Sequence, residues 1–505
     1  MEQLNTVLPV SPEGNHNAGG AVQQENVLLD KVRQKFGFYG SISLIFGGAF
    51  SLFFYRSWLG INVLAFSALT ILLLWLIMKK LDLPVKTGTY LCYGGVLLLG
   101  VSTCLTGSEI LQLLNLMGIL FLLELSLLHQ FYDDRQWELI HYLDKVLGIV
   151  IDSIASLALP VIDGVGFLKR TRFLKNDRLR NVLLGIVASI PVLFIILLLL
   201  SEADMVFADM TGKILRVFFA SDILYIAAMV AFGFFVCYCS LCGALYHSGR
   251  EKKRSITKAD PTIAVTFMTM LCLVYALFCA IQLVFLFSNG VFTLPEQYTF
   301  AEYARKGFFE LLTVTIINLI ILLLCNALFR ESRLLRFLVA CMTACTFIMI
   351  ASATYRMLLY IGAYHLTFLR LFVLLVLLMD ALALTGIIIA QYKKDFPLFW
   401  YCVLVIFLCY IPFSFSKPDY QIASYLVNHQ EILNMEDMSY LTGELSLDAA
   451  PVVLPLFSED DRWEREVISS YYSRITRSIN NSGIRSYNFS YAEAAAAARK
   501  YPNNQ

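Results

Sequence analysis

The stretch Trp58–Met78, WLGINVLAFSALTILLLWLIM, contains no charged side chain. A helix rises about 1.5 Å per residue, so roughly 20 apolar residues cross the hydrocarbon core of a bilayer. Inside lipid every peptide group must bond within its own segment, which makes this stretch a spanning helix. The same pattern recurs at Phe36–Tyr55, Gly88–Leu105, Ile110–Leu128, Val182–Leu200, Ile223–Tyr246 and Pro261–Phe287. It returns at Gly307–Phe329, Leu335–Ile361, Leu366–Gln391 and Pro397–Phe415. The expected fold is therefore all-α: a polytopic bundle of about eleven spans with a small helical C-terminal region.

Composition agrees. Of 505 residues, 58% are hydrophobic and 15% charged, against about 25% charged in soluble domains. Mean hydropathy is +0.68. A net charge of +1 provides no field for nucleic acid. All twelve cysteines lie in apolar runs, where cysteine acts as a small membrane-helix residue rather than as half of a disulfide framework.

Lysine and arginine set the orientation. With the N-terminus cytoplasmic, the inner connections receive KVRQK, KK with Lys86, KRTRFLKNDRLR, GREKKR, RESRLLR and YKKD. The outer ones receive only Arg56, Lys213, Arg216, Arg305 and Lys306. The expected organisation is a disordered cytoplasmic N-terminus (1–35), a four-span region (36–128) and a cytoplasmic amphipathic segment (129–181). A seven-span region (182–415) and an extracytoplasmic helical tail (416–505) follow.

Asp144–Phe167 is apolar enough to pass for a span. It carries Asp152 and Asp163 and has basic flanks. Leu143, Leu147, Val150, Ile154 and Leu157 share one helical face, with Lys145, Asp152 and Ser156 opposite, as in an interfacial helix. A re-entrant hairpin is the alternative. In the tail, Trp463, Val467, Tyr471 and Ile475 step by four, and Ser490 with Glu493 has capping-box spacing.

No phosphate loop, H-E-x-x-H, G-x-S-x-G or paired C-x-x-C occurs. The six histidines show no ligand spacing. The expectation is a non-enzyme with no cofactor and no metal. Its partners are the bilayer and another membrane or extracytoplasmic protein met through the tail. The role expected is that of a non-catalytic sensor, regulator or assembly component, with a transporter or channel as the alternative.

Ionisable residues inside spans mark candidate sites. Glu124 and Asp380 are intramembrane carboxylates. In ATYRMLLYIGAYHLTFLR, Ala353–Arg370, the side chains of Arg356, Tyr360 and Tyr364 share a face, and Arg370 opens the next span. The preceding outer segment brings Glu302, Tyr303, Arg305 and Glu310 to the same height. By helix rise, Glu310, Arg356 and Arg370 lie roughly 5–8 Å below the outer boundary. They are expected to form one polar cluster, with Glu310, or failing it Glu302, holding the arginines.

YTFAEYARKGFFELLTV, ASATYRMLLYIGAYHLTFLRL and YLTGELSLDAAPVVLPL together resemble a bacterial family of polytopic membrane proteins, the domain-of-unknown-function 4173 (4153-like) type. The resemblance runs from the fifth span into the tail. It implies a bacterial plasma membrane and no assigned activity. Tyr303, Arg305, Gly307, Glu310, Arg356, Tyr360, Tyr364, Thr367 and Arg370 match its pattern.

Overall fold

The computed structural model describes residues 27–134, 137, 139–170, 199–220, 222–246, 258–287, 308–364, 366–393, 396–429, 433–459, 465–481 and 483–501. Between 171 and 198 it describes Val182, Gly185, Ser189, Leu193, Ile196 and Leu197. The helices are α1 (Val27–Gln34), α2 (Phe36–Phe54), α3 (Ile61–Lys80), α4 (Thr87–Leu105), α5 (Glu109–Phe131), α6 (Leu139–Ala155) and α7 (Leu159–Arg170). Next come α8 (Met205–Ala220), α9 (Asp222–Tyr246), α10 (Pro261–Phe287), α11 (Phe308–Leu328), α12 (Arg333–Tyr364), α13 (Phe368–Tyr392) and α14 (Leu398–Phe415). The tail holds α15 (Pro418–His429), α16 (Met435–Ser439), α17 (Ala450–Glu459), α18 (Arg465–Asn481) and α19 (Phe489–Lys500).

Eleven helices are long and apolar enough to cross a membrane, and no strand occurs among the described residues. The chain is an all-α, multi-pass integral membrane protein. All but one of the predicted spans appear among the eleven. Val182–Leu200 falls largely outside the described residues, and the place it would fill in the count is taken by Ile140–Arg170.

The contacts of Ile140–Arg170 decide how it lies. The bundle has a basic end, where Lys79, Lys80, Lys86, Arg333, Arg336 and Lys393 gather, and an opposite end that carries the tail. Tyr142 stacks on Phe399, at the basic end of α14, with ring centroids 3.8 Å apart. Cys239 Sγ, in the last turns of α9, lies 3.6 Å from Ser156 O. Asp163 pairs with Arg33 at 3.1 Å, and Phe167 meets Phe36 at 6.0 Å. Its first turn, middle and last turn all touch the basic end, so the segment runs along that end instead of crossing. Leu143, Leu147, Val150 and Ile154 stay exposed, while Ser156 is buried against α9. α9 itself starts at the tail end, where Arg56 pairs with Asp222 at 2.9 Å.

Without a hydrophobic force between them, membrane helices associate by close packing of small residues. Gly47 of α2 and Gly233 of α9 make such a contact. A Cβ on Gly47 would lie 2.2 Å from the carbonyl oxygen of Val230. One apolar cluster fills the bundle formed by α10–α13, and another joins α3–α6 to α14.

The tail has its own core, including Ile422, Leu454, Tyr471, Ile475 and Tyr491. Tyr471 and Ile475 face inward, as their spacing predicts; Trp463 lies outside the described residues. The predicted capping box is not formed. Asn488 is the N-cap, accepting from Ser490 N at 2.8 Å, and Glu493 instead pairs with Lys417 at 2.5 Å. Asn488 wins because docking already fixes it, with its amide donating to Thr106 O at 2.8 Å.

Candidate functional site

Polar side chains occupy three levels of the α10–α13 bundle. Near the tail end, Arg356 is 9% exposed and donates from Nη2 to Gln282 Oε1 at 3.0 Å. Ser352 Oγ donates to the same oxygen at 2.8 Å. A neutral amide oxygen on α10 thus receives both groups from α12. Glu310 is exposed, and no ion pair joins it to Arg356 or Arg370. The expected partnership is corrected accordingly: Glu310 opens α11 on its outer surface, whereas Arg356 points inward. Glu302, Tyr303 and Arg305 lie outside the described residues.

Arg370 makes a separate group. Its guanidinium sits 4.2 Å over the Tyr360 ring and donates to Tyr364 O at 2.6 Å. Tyr360 and Tyr364 pack at 5.0 Å, with Phe308 6.0 Å from Tyr360. Cation–π contact of this kind satisfies an arginine whose stem lies in an apolar layer. Among the described residues, Arg370 stands with the tyrosines and Arg356 with Gln282 and Ser352.

At mid-depth, Asp380 of α13 is 3% exposed and lies beside the Thr315 hydroxyl of α11. Asn318, one turn along α11, is fully buried and donates to Thr346 Oγ1 of α12 at 3.1 Å. At the basic end Gln391 donates to Asn326 at 3.0 Å. Glu124 of α5 stands apart, half-buried, with one carboxyl oxygen shielded and given no hydrogen bond.

A second constellation lies where α5 and α14 meet at the basic end. His129 Nδ1 is 2.7 Å from Asp134 Oδ2, and the Tyr142 hydroxyl donates to the same oxygen at 2.9 Å. Trp400 Nε1 donates to Tyr142 at 2.9 Å. Burial pushes the Asp134 carboxyl up, but the hydrogen bond and charge of His129, with the Tyr142 hydroxyl, outweigh it and hold the group below its ordinary value. His129 Nε2 faces the α4 backbone: a Cβ on Gly88 would lie 2.5 Å from it. The arrangement locks the histidine in place.

The tail docks through a third set. Asp448, 2% exposed, accepts from Thr106 Oγ1 at 2.6 Å and from Gly107 N at 3.0 Å. Ile61 N donates to Tyr487 O at 2.9 Å. Asp419 accepts from Ser446 N at 3.2 Å; burial, and the nearby charge of Asp448, raise its carboxyl above the ordinary value. An open cleft of about 760 Å³ lies beside this face, lined by Trp58, Glu109, Gln112 and Tyr225 among others.

Sequence reading assigned Arg356, Arg370, Asp380 and Glu124 to spans, and they lie in helices α12, α13, α13 and α5. It missed Gln282, Ser352, Thr315 and Asn318, because only ionisable residues were sought within the spans. Asn318 in INLIILLLCN was the visible signal, an amide in an otherwise oily run. Asp448 and Asn488 gave none, being ordinary tail residues until folded.

A family described as a domain of unknown function, DUF4153, matches residues 93–456. No curated protein and no solved structure matches the chain. The match begins inside the third predicted span, earlier than the resemblance seen in the sequence motifs. It takes in Asp134, Arg356, Asp380 and Asp448, and covers well over half of the 505 residues. By that coverage, this integral membrane protein belongs to the DUF4153 family.

Proposed function

We propose that the protein is a non-catalytic sensor, regulator or assembly component of a bacterial plasma membrane. In this reading the N-terminus and basic end are cytoplasmic, and the tail is the extracytoplasmic module that meets a partner protein. The lysine and arginine asymmetry supports the orientation. The observation that carries the role is the docking of the tail on both parts of the bundle. Asp448 and Asn488 hold the Thr106–Gly107 turn, while Leu366, Phe368 and Leu371 from the α12–α13 connection pack into the tail core. A partner binding the tail would act on both at once.

Photo-crosslinkers placed along α18 in native membranes test this reading. It expects a discrete protein adduct, and no saturable solute flux from liposomes holding the purified chain. Saturable flux without an adduct overturns it and favours a second reading, a transporter or channel. That alternative is motivated by the mid-membrane carboxylate of Asp380.

A further inference from the structure

Between α18 and α19 the tail is built inside out. Ser486, Asn488 and Ser490 alternate along the chain and are buried against the α2–α3 and α4–α5 turns. The residues between them, Tyr487 and Phe489, are 43% and 44% exposed, with ring centroids 5.2 Å apart. Ile484, in the single helical turn Ile484–Ser486, is 94% exposed. A segment surrounded by water turns its polar side chains out and its apolar ones in. Three apolar side chains turned out within six residues mark a contact with an apolar medium or partner.

Two hydrogen bonds fix the level of this patch. Arg485 Nη1 donates to Leu52 O at 2.5 Å, two residues before the end of α2. The N–H of Ile61, the first residue of α3, donates to Tyr487 O at 2.9 Å. Both helices are long and apolar enough to cross the membrane, so the patch sits where two spans emerge from it. Tail and turn meet there without a gap: a Cβ on Gly60 would lie 2.5 Å from Tyr487 O and 2.8 Å from Ser486 O. Leu52, Trp58 and Ile61 are exposed at the same level. The apolar patch of the tail is thus continuous with span surface that lipid covers.

That continuity decides the occupant. Tyrosine and tryptophan rings favour the boundary between acyl chains and headgroups, where one end of the ring is dry and the other wet. An exposed arginine at this height, Arg485, has headgroup phosphates within reach of its long stem. We propose that Ile484, Tyr487 and Phe489 insert into the bilayer leaflet at the tail end, so that the tail rests on lipid as well as on the bundle. The contact goes beyond the regulatory reading and stands without it, since lipid alone satisfies it.

The test uses the full chain in liposomes, with an environment-sensitive fluorescent amino acid in place of Ile484. Two quenchers are compared: phospholipid brominated near the top of its acyl chains, and iodide in the water on both sides. Brominated lipid should quench the probe about as strongly as it quenches the same probe at Leu52. Iodide should quench it several-fold less than it quenches the free amino acid. Quenching by iodide and not by lipid puts the turn in water and overturns the proposal. Quenching by neither means that protein covers the turn, a second copy of the chain for instance, and overturns it too. Should the chain not fold with the probe at Ile484, the probe at Phe489 decides by the same two criteria.

Discussion

The Asp448 carboxylate of the tail closes on the Thr106 hydroxyl at 2.6 Å, across a sequence separation of 342 residues. The second carboxyl oxygen takes the backbone N–H of Gly107. In Asp448→Ala both acceptors are lost, and the Thr106 hydroxyl and the Gly107 N–H are left without them. A loss of about 1–3 kcal/mol in tail docking is expected. Limited proteolysis should then cut the tail faster in the variant, and equal rates would show that the contact does not hold it.

The crossing of α2 and α9 should tolerate no side chain at Gly47. Its Cβ would meet backbone, which cannot turn aside. Gly47→Ala should cost about 1–3 kcal/mol, as overpacking does. Gly48→Ala, whose Cβ would meet nothing within 4 Å, is the control and should be near neutral. The two melting temperatures in detergent give the comparison.

Arg356 and Gln282 should be coupled. Arg356→Gln and Gln282→Leu each break the bond between α12 and α10, so the double change should lose less than the sum. A coupling energy of about 0.5–3 kcal/mol is expected from a thermal-stability cycle. Additive losses would mean the two residues act separately.

Acid should weaken the basic end through Asp134. Its folded carboxyl lies below the ordinary 3.8, so its contribution is fully present above that pH. It is lost as pH falls through the depressed folded value. Asp134→Asn should cost about 1.5–3 kcal/mol near neutrality. The gap to wild type should narrow only below about pH 4. A gap constant down to pH 2 would show that the carboxylate is not the source.

Ile140–Arg170 should label from one side. Cysteines replacing Asp144 and Lys169 should react with an impermeant reagent from the same face as a cysteine replacing Lys393. Opposite faces for the first two would mean that the segment crosses.

The spans were legible because lipid leaves the backbone no other choice, and a run such as Trp58–Met78 states its length openly. Direction is a different matter. Ile140–Arg170 has the hydropathy of a span, 1.9, yet its contacts keep it at one end. Composition carries no information about which way a helix points. The helices that carry Arg356 and Asp380 were legible too, α12 and α13. Partners were not. Opposite charge suggested Glu310 for Arg356, but side-chain direction on α11 sends Glu310 outward and leaves the uncharged Gln282 facing the guanidinium. At Ser490 a good local capping signal lost to Asn488, whose position is set by a turn nearly four hundred residues earlier.

That last contact bears on how the protein is made. Thr106, Gly107 and Ser108 belong to a turn inserted early in synthesis, yet the Asp448 carboxylate and the Asn488 amide reach the ribosome exit only after every span has been translated. Until then the turn keeps its polar groups open to water, and the first helices remain an unfinished surface. The contact between turn and tail is thus one that the chain can close only late, long after its first half has been placed.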